Sequence, residues 1–240
     1  MTASNPKKDS SSRFAPLLTQ LGVTFANESF LETALTHRSY VNEHRGEAFE
    51  HNERLEFLGD AVLELIATEY LFGRYPEKTE GDLTSYRAAL VNTESLATVA
   101  QKLFINDFLH LSKGEARDTG RARHYILANA LEAIIGALYL DQGYEAAKGF
   151  IAQHLFPRIS EIVEKRLWQD AKSRFQEKAQ GVLSATPSYE TVSETGPDHD
   201  RHFVVGVYVE KEMIAQGEGK SKQEAEQAAA QNALRTKGWQ

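Results

Sequence analysis

From Phe14 to about Arg166, apolar residues recur at intervals of three and four, and no period-two run is long enough for a strand. That spacing predicts an all-helical domain. After Trp168 the pattern changes. Asp170 to Gln180 predicts a helix, the alternating segments Ser188 to Ser193, His202 to Val209 and Met213 to Gly217 predict three strands, and an alanine-rich stretch from Ser221 predicts a closing helix. The expected architecture is therefore two domains, all-α over residues 13–166 and α+β in the order α-β-β-β-α over residues 167–240. Residues 1–12, rich in Ser and Lys, predict a disordered arm. The joint near Leu167 has no Gly or Pro run, so the linker is short or continues a helix.

Two helical stretches place polar atoms opposite a hydrophobic face. In the helix opened by NERLEFLGD (Asn52 to Asp60), a turn of about 100° per residue puts Glu53, Glu56, Asp60 and Glu64 on one side. Leu55, Leu58, Val62, Leu65 and Ile66 are expected on the other. Acids on an exposed helix face are ordinarily just solvated. Here like charges three and four apart repel, with Arg54 and Arg38 as candidate counter-ions, and a divalent cation would offset the repulsion. Phe57 falls on the acidic side and needs a partner surface, for which a second subunit is one candidate. In the second stretch, Tyr125 to Leu140, an apolar arc of Leu127, Leu131, Ile134, Ile135 and Leu138 opposes Asn129 and Glu132, which share their side with Ala133 and Gly136. Small residues let another helix come close. If the two helices pack together, Glu56, Asp60, Asn129 and Glu132 converge into an oxygen-only cluster that suits magnesium or manganese and not zinc. Such a cluster can promote in-line displacement at a phosphate.

Composition narrows the setting. The chain has 240 residues and no cysteine, which excludes disulfides, thiolate metal sites and cysteine nucleophiles and makes a reducing interior, the cytoplasm, the easier compartment. No apolar stretch approaches the roughly 20 residues that cross a bilayer, and the opening residues lack the apolar core of a signal peptide. The net charge of −7 argues against a nucleic-acid partner, whose usual footprint is a basic domain. Binding to RNA would have to use a local cationic patch, or metal ions held by some of the acids.

NERLEFLGD does not stand alone. THRSY (Thr36 to Tyr40) precedes it, EGDLTSYRAALVN (Glu80 to Asn92) follows, and ILANALEAIIGALYLD (Ile126 to Asp141) closes the domain. In order and approximate spacing these four blocks resemble the bacterial ribonuclease III family. The resemblance implies that Glu56, Asp60 and Glu132 hold catalytic Mg2+, with Mn2+ a possible substitute. It further implies that Glu53 and Glu80 are acids lining the cutting site and that Phe57 docks into the other subunit of a homodimer. Each subunit would then cut one strand of double-stranded RNA, leaving 5′-phosphates and short 3′ overhangs, with ribosomal and messenger RNA processing as the family's expected role. One position departs from the pattern: where most members carry Asp three residues before the final Glu, this chain has Asn129. An amide oxygen can still coordinate a hard cation but brings no charge, so metal affinity should fall. Retained activity is the expectation, because Glu56, Asp60 and Glu132 remain.

The segment from DAKSRFQEKAQ through GEGKSKQEAEQAAAQNAL is similar to a double-stranded-RNA-binding domain over nearly its whole length. Ser221 with Glu224 predicts a capping box. Lys220 and Lys222 add charge at a helix N-terminus, where free amides already favour phosphate. Alanines 225, 228 and 229 offer a thin face for packing on the sheet. By resemblance, Ser173, Gln176 and Glu177 contact 2′-hydroxyls in one minor groove and the loop around Pro197 to His199 enters the next. Lys220 and Lys222 grip the phosphates between. Such domains read A-form shape over about 16 base pairs and not sequence. Gln223 and Glu224 follow Lys222 where the family often continues basic, which predicts a more salt-sensitive grip. Against the metal-dependent nuclease stand two other readings. One is an RNA-binding protein disabled for cleavage at Asn129, and the other is a helical dimerisation scaffold whose acids are only solvated.

Overall fold

A computed structural model describes residues 13–117, 119–166, 168, 170–197 and 201–239. The arm expected over residues 1–12, the joint at Leu167 and the loop residue His199 lie outside the described residues. The chain divides into two compact units, Met1–Trp168 and Gln169–Gln240.

The first unit is helical throughout. In chain order it contains α1 (Ala15–Leu21), α2 (Ser29–Ala34), α3 (Arg38–Glu43), α4 (Glu53–Arg74), α5 (Glu80–Val91) and α6 (Thr93–Lys102). A 3-10 turn (Ile105–Phe108) follows, then α7 (Lys113–Arg117), α8 (Arg121–Gln142), α9 (Tyr144–His154) and α10 (Arg158–Glu164). α8 is the axis of this unit. It is buried on nearly every side from Ile126 to Leu138, packing on α2, α4, α6 and α9. The sequence pattern had suggested an amphipathic helix with one apolar arc. The residues outside that arc, Ala128, Ala130, Ala133 and Ala137, are small enough to be enclosed by neighbouring helices as well. The core face of α4 also differs from expectation. Leu65 is 59% exposed, whereas Leu63 is fully buried. Contact with α8 is centred on Gly59, and this rotates the buried arc toward Leu63 and Ala67 and leaves Leu65 outside it.

The second unit contains α11 (Ala171–Leu183), β1 (Pro187–Thr195), β2 (His202–Val209), β3 (Glu212–Gly219) and α12 (Lys222–Thr236). The strands form an antiparallel sheet in the order β1-β2-β3. Val205, Val207 and Val209 turn toward the helices, as a period of two requires, and Phe175 of α11 with Ala229, Ala230 and Ala233 of α12 completes the core. α12 lies on β3 almost backbone to backbone: a Cβ on Gly217 would fall 2.0 Å from the Ala229 nitrogen. Ala225 and Ala229 face the sheet as expected, whereas Ala228 is half-buried. The α-β-β-β-α order and the all-helical first unit are those the residue pattern predicts.

Candidate functional site

Two glycines set the geometry of the acidic site. α4 and α8 make the most extensive helix contact in the first unit, and they cross where Gly59 meets Gly136. A Cβ on Gly59 would lie 1.8 Å from the Glu132 carbonyl oxygen, and one on Gly136 would lie 2.2 Å from the Leu55 carbonyl oxygen. Only hydrogen fits at either point. Gly136 and its small neighbour Ala133 mark a close-packing face in the sequence, whereas Gly59, the necessary counterpart inside NERLEFLGD, is a single glycine with no small neighbour at helical spacing to signal it.

Because the backbones touch there, residues one turn either side of Gly59 and Gly136 share a narrow space. Glu132 is half-buried, and burial, then Asp60 and Glu56, pushes its carboxyl up to about 8. Glu56 is also raised, first by burial, then by Glu53, and to a lesser extent by Asp60. Against this, the Asn129 amide donates a hydrogen bond to the Glu56 carboxylate and favours its charged form. Three carboxylates and one amide therefore lie within reach of one another's charge. Among the described residues no three acids or histidines are gathered around one point closely enough to hold a metal ion, so the convergence is electrostatic and not a finished coordination shell.

The other two expected acids stand apart. Glu53 is exposed and engaged by Arg38 at 3.1 Å and by His51 at 3.7 Å, and it reaches the cluster only through its charge on Glu56. Glu80 opens α5 and accepts a hydrogen bond from the Thr84 hydroxyl at 3.1 Å. It lines a cavity between α4 and α5 with Thr68, Phe72 and Arg87, and it is not among the charges that lift Glu132. Within one chain, Glu80 therefore belongs to a different surface.

The THRSY block turns out to hold the start of α4 in place. Asn52 is 2% exposed and does not cap its own helix; its amide donates to the Ala34 carbonyl at 3.3 Å while its backbone N–H donates to the Thr36 carbonyl at 2.9 Å. Thr36 is buried too, with its hydroxyl donating to the Glu32 carbonyl. Sequence reasoning had matched these residues to a motif without seeing that their work is to fix where Glu53 and Glu56 begin.

Three large apolar side chains of α4 stand exposed: Phe57 at 82%, Leu65 and, near the far end of the helix, Phe72 at 74%. Beside Phe57 lies a cavity of about 970 Å³ lined by Phe30, Phe49, Arg54, Leu58 and Leu140 among others. Phe57 thus sits at a hollow whose walls mix aromatic and aliphatic side chains with the charged Glu50, Glu53 and Arg54.

In the second unit, Ser173, Gln176 and Glu177 are exposed on α11, and Pro197 follows β1. Asp170 caps α11, accepting from the Ser173 N–H at 2.9 Å and the Ser173 hydroxyl at 2.6 Å. Ser221 caps α12 by accepting from the Glu224 N–H, while the Glu224 carboxylate reaches one residue further back than a capping box requires, to the Lys220 N–H at 3.0 Å. Lys220 and Lys222 flank this cap, and Lys222 lies over the Phe203 ring.

Comparison with known proteins agrees with both units. Residues 27–159 match the Ribonuclease-III-like family model and residues 171–237 the double-stranded RNA binding motif. The chain is 46% identical to Ribonuclease 3 of Bdellovibrio bacteriovorus over 91% of its length and 93% of the relative's. It is 48% identical to Ribonuclease 3 of Streptococcus pneumoniae over 91% and 94%. Among solved structures, the nuclease domain of ribonuclease III from Campylobacter jejuni is similar at 42% identity with a TM-score of 0.55, covering 60% of this chain and 99% of that one. These matches span both units in order, so the chain belongs to the ribonuclease III family and carries a double-stranded-RNA-binding domain behind its helical domain.

Proposed function

We propose that this chain is a divalent-cation-dependent endonuclease that cuts double-stranded RNA, leaving 5′-phosphates and short 3′ overhangs, and that it works in the cytoplasm on ribosomal and messenger RNA precursors. The observation that carries the reading is the crossing of α4 and α8 at Gly59 and Gly136, which draws Glu56, Asp60 and Glu132 together until Glu132 holds its proton to about 8. Such crowding has no local cationic side chain among the groups acting on Glu132, and an all-oxygen donor set fits a hard cation. Glu56, Asp60 and Glu132, with Asn129, would hold magnesium or manganese. Bound there, the ion would supply Lewis acidity and an activated water for attack on a phosphodiester.

The chain's own residues divide the remaining work. Asn129 orients Glu56 by its hydrogen bond and opposes part of the rise that burial and Glu53 impose on its carboxyl, and Arg38 holds Glu53 at the rim. The close helix contact fixes the carboxylates on rigid backbone. In the second unit Ser173, Gln176, Glu177, Pro197 and His199 would meet the minor grooves, and Lys220 and Lys222 the phosphates. The exposed Phe57 beside its hollow supports a homodimer, with Phe57 of each copy seated in the other's cavity. That arrangement would also bring the separate Glu80 surface of one copy into a shared cutting region.

The test is incubation of the full chain with a long RNA duplex and its single strands across a magnesium and manganese titration, with EDTA as control. Metal-dependent cutting of the duplex to 5′-phosphorylated fragments is expected. Duplex binding without cutting at any metal concentration would favour the binding-only reading and point to Asn129 as the reason. Sedimentation of the wild type and of Phe57→Glu tests the dimer: the wild type should run as a dimer and the variant as a monomer.

A further inference from the structure

Recognition of an A-form duplex needs more than the right side chains. The first minor groove, the intervening phosphates and the second minor groove have fixed spacing, so the elements that meet them must be held in register. In the second unit α11 packs on α12 through Phe175 and the alanines of α12, and at the first turn of α11 the helix cap itself is held by a side chain of α12. Gln227 lies six residues beyond the Ser221 cap, about 9 Å along α12 at 1.5 Å per residue. Its amide oxygen accepts from the Ala171 N–H at 3.0 Å, and its amide nitrogen donates to Asp170 Oδ1 at 3.1 Å. These are the cap and the first residue of α11. Next to this clamp, Lys172 Nζ pairs with Glu226 at 2.6 Å and lies 4.8 Å from the centre of the Tyr189 ring, tying the same turn to α12 and β1.

The clamp also reaches a groove-facing group. Asp170 Oδ1 receives Gln227, and Oδ2 receives the Ser173 hydroxyl. The hydroxyl proton of Ser173 is thus committed to Asp170, and on this exposed side chain the oxygen is left to act as an acceptor. A 2′-hydroxyl both donates and accepts, so it can meet Ser173 as the donor.

Resting on the RNA-binding reading above, we propose that Gln227 is a positioning residue for duplex RNA, which acts through Asp170 to register α11 against the start of α12 and to present Ser173 as an acceptor for ribose 2′-hydroxyls. Gln227 itself need not touch RNA. Its loss should therefore be felt where ribose is read and not where phosphate is gripped.

The experiment measures binding of the full chain, in EDTA, to two duplexes of about 16 base pairs. One is all-ribose, and the other carries 2′-deoxyribose in both minor-groove segments. For the wild type a preference of about tenfold for the all-ribose duplex is expected, the worth of one or two net hydrogen bonds. Gln227→Ala should lower affinity for the all-ribose duplex by about tenfold, leave the substituted duplex nearly unchanged, and so bring the ratio close to one. Lys220→Ala should weaken both equally and preserve the ratio, since a phosphate contact carries no sugar preference. Gln227→Glu keeps the acceptor for the Ala171 N–H but sets a second carboxylate against Asp170, and it should give an intermediate ratio. It decides the matter if the alanine variant does not fold. An unchanged ratio in a folded Gln227 variant, whether affinity falls or not, would overturn the proposal. A wild type that binds neither duplex would overturn the RNA-binding reading and this inference with it.

Discussion

Glu132 shows most directly how this fold trades stability for a site. Its carboxyl is pushed from 4.5 up to about 8 by burial, Asp60 and Glu56, so between those values the metal-free native state keeps a proton that the unfolded chain has released. The favourable contribution is complete below the unfolded value and disappears as pH rises through the folded one. Denaturant unfolding of the metal-free protein should show stability falling from about pH 5 to about pH 8.5, and magnesium should reverse most of that loss. A flat profile would mean that burial, Asp60 and Glu56 do not hold the proton on Glu132, and one insensitive to magnesium that these carboxylates do not share a cation. Asn129 modifies the same cluster with a hydrogen-bond donor where an aspartate would bring a charge. Asn129→Asp removes the hydrogen bond to Glu56 and adds a fourth negative group. The magnesium concentration for half-maximal cutting should fall by about tenfold, read from a metal titration of initial rates. An unchanged or raised requirement would show that position 129 lies off the metal's coordination sphere.

At the level of elements, the crossing of α4 and α8 is where sequence and structure are most tightly joined. Alanine is normally the better helix residue, by about 1 kcal/mol over glycine. Gly73, near the open end of α4 with nothing close to its missing Cβ, should follow that rule, and Gly73→Ala should stabilise slightly. At Gly136 the added carbon would meet the Leu55 backbone at 2.2 Å, which no rotamer change can relieve. Gly136→Ala should destabilise by about 1–3 kcal/mol and suppress cleavage further than stability alone explains, because the acids would be parted. Thermal melts with cleavage rates at a temperature where both variants are folded test this. The α4 and α8 helices were legible because their apolar spacing is long and regular, and the second unit's strands and caps were legible from alternation and from Ser221. Their outer limits were less so: α4 runs on to Arg74 and β1 to Thr195. The exposure of Leu65 was hidden because a helical wheel gives the width of a buried arc but not its centre, which here is decided by the close approach of α8 at Gly59. The enclosure of α8 was hidden because its small alanines leave open how many helices surround it.

On the scale of the whole molecule, two units with separate chemistry are joined in one chain that carries a net charge of −7. That charge looked like an objection to an RNA partner. It is answered in part by the acids themselves, which gather where a cation would neutralise them, and in part by the local placement of Lys220 and Lys222 at a helix start. What one sequence did not reveal is pairwise across elements: Glu80 on a surface of its own, Gln227 holding the cap of α11, and Phe57 beside a hollow. Each depends on which helix lies next to which, and apolar spacing does not encode that. If binding belongs to the second unit and cutting to the first, the two must be separable by a change that leaves the fold intact. Glu132→Gln is that change, since a neutral amide matches the protonated carboxyl that the metal-free site already favours near pH 7. The decisive measurement compares the wild type and Glu132→Gln for duplex RNA affinity in EDTA and for single-turnover cleavage in saturating magnesium. Equal affinity with cleavage reduced by about a thousandfold or more is the predicted result. Cleavage by the variant at the wild-type rate would contradict the assignment of the α4 and α8 crossing as the site of catalysis.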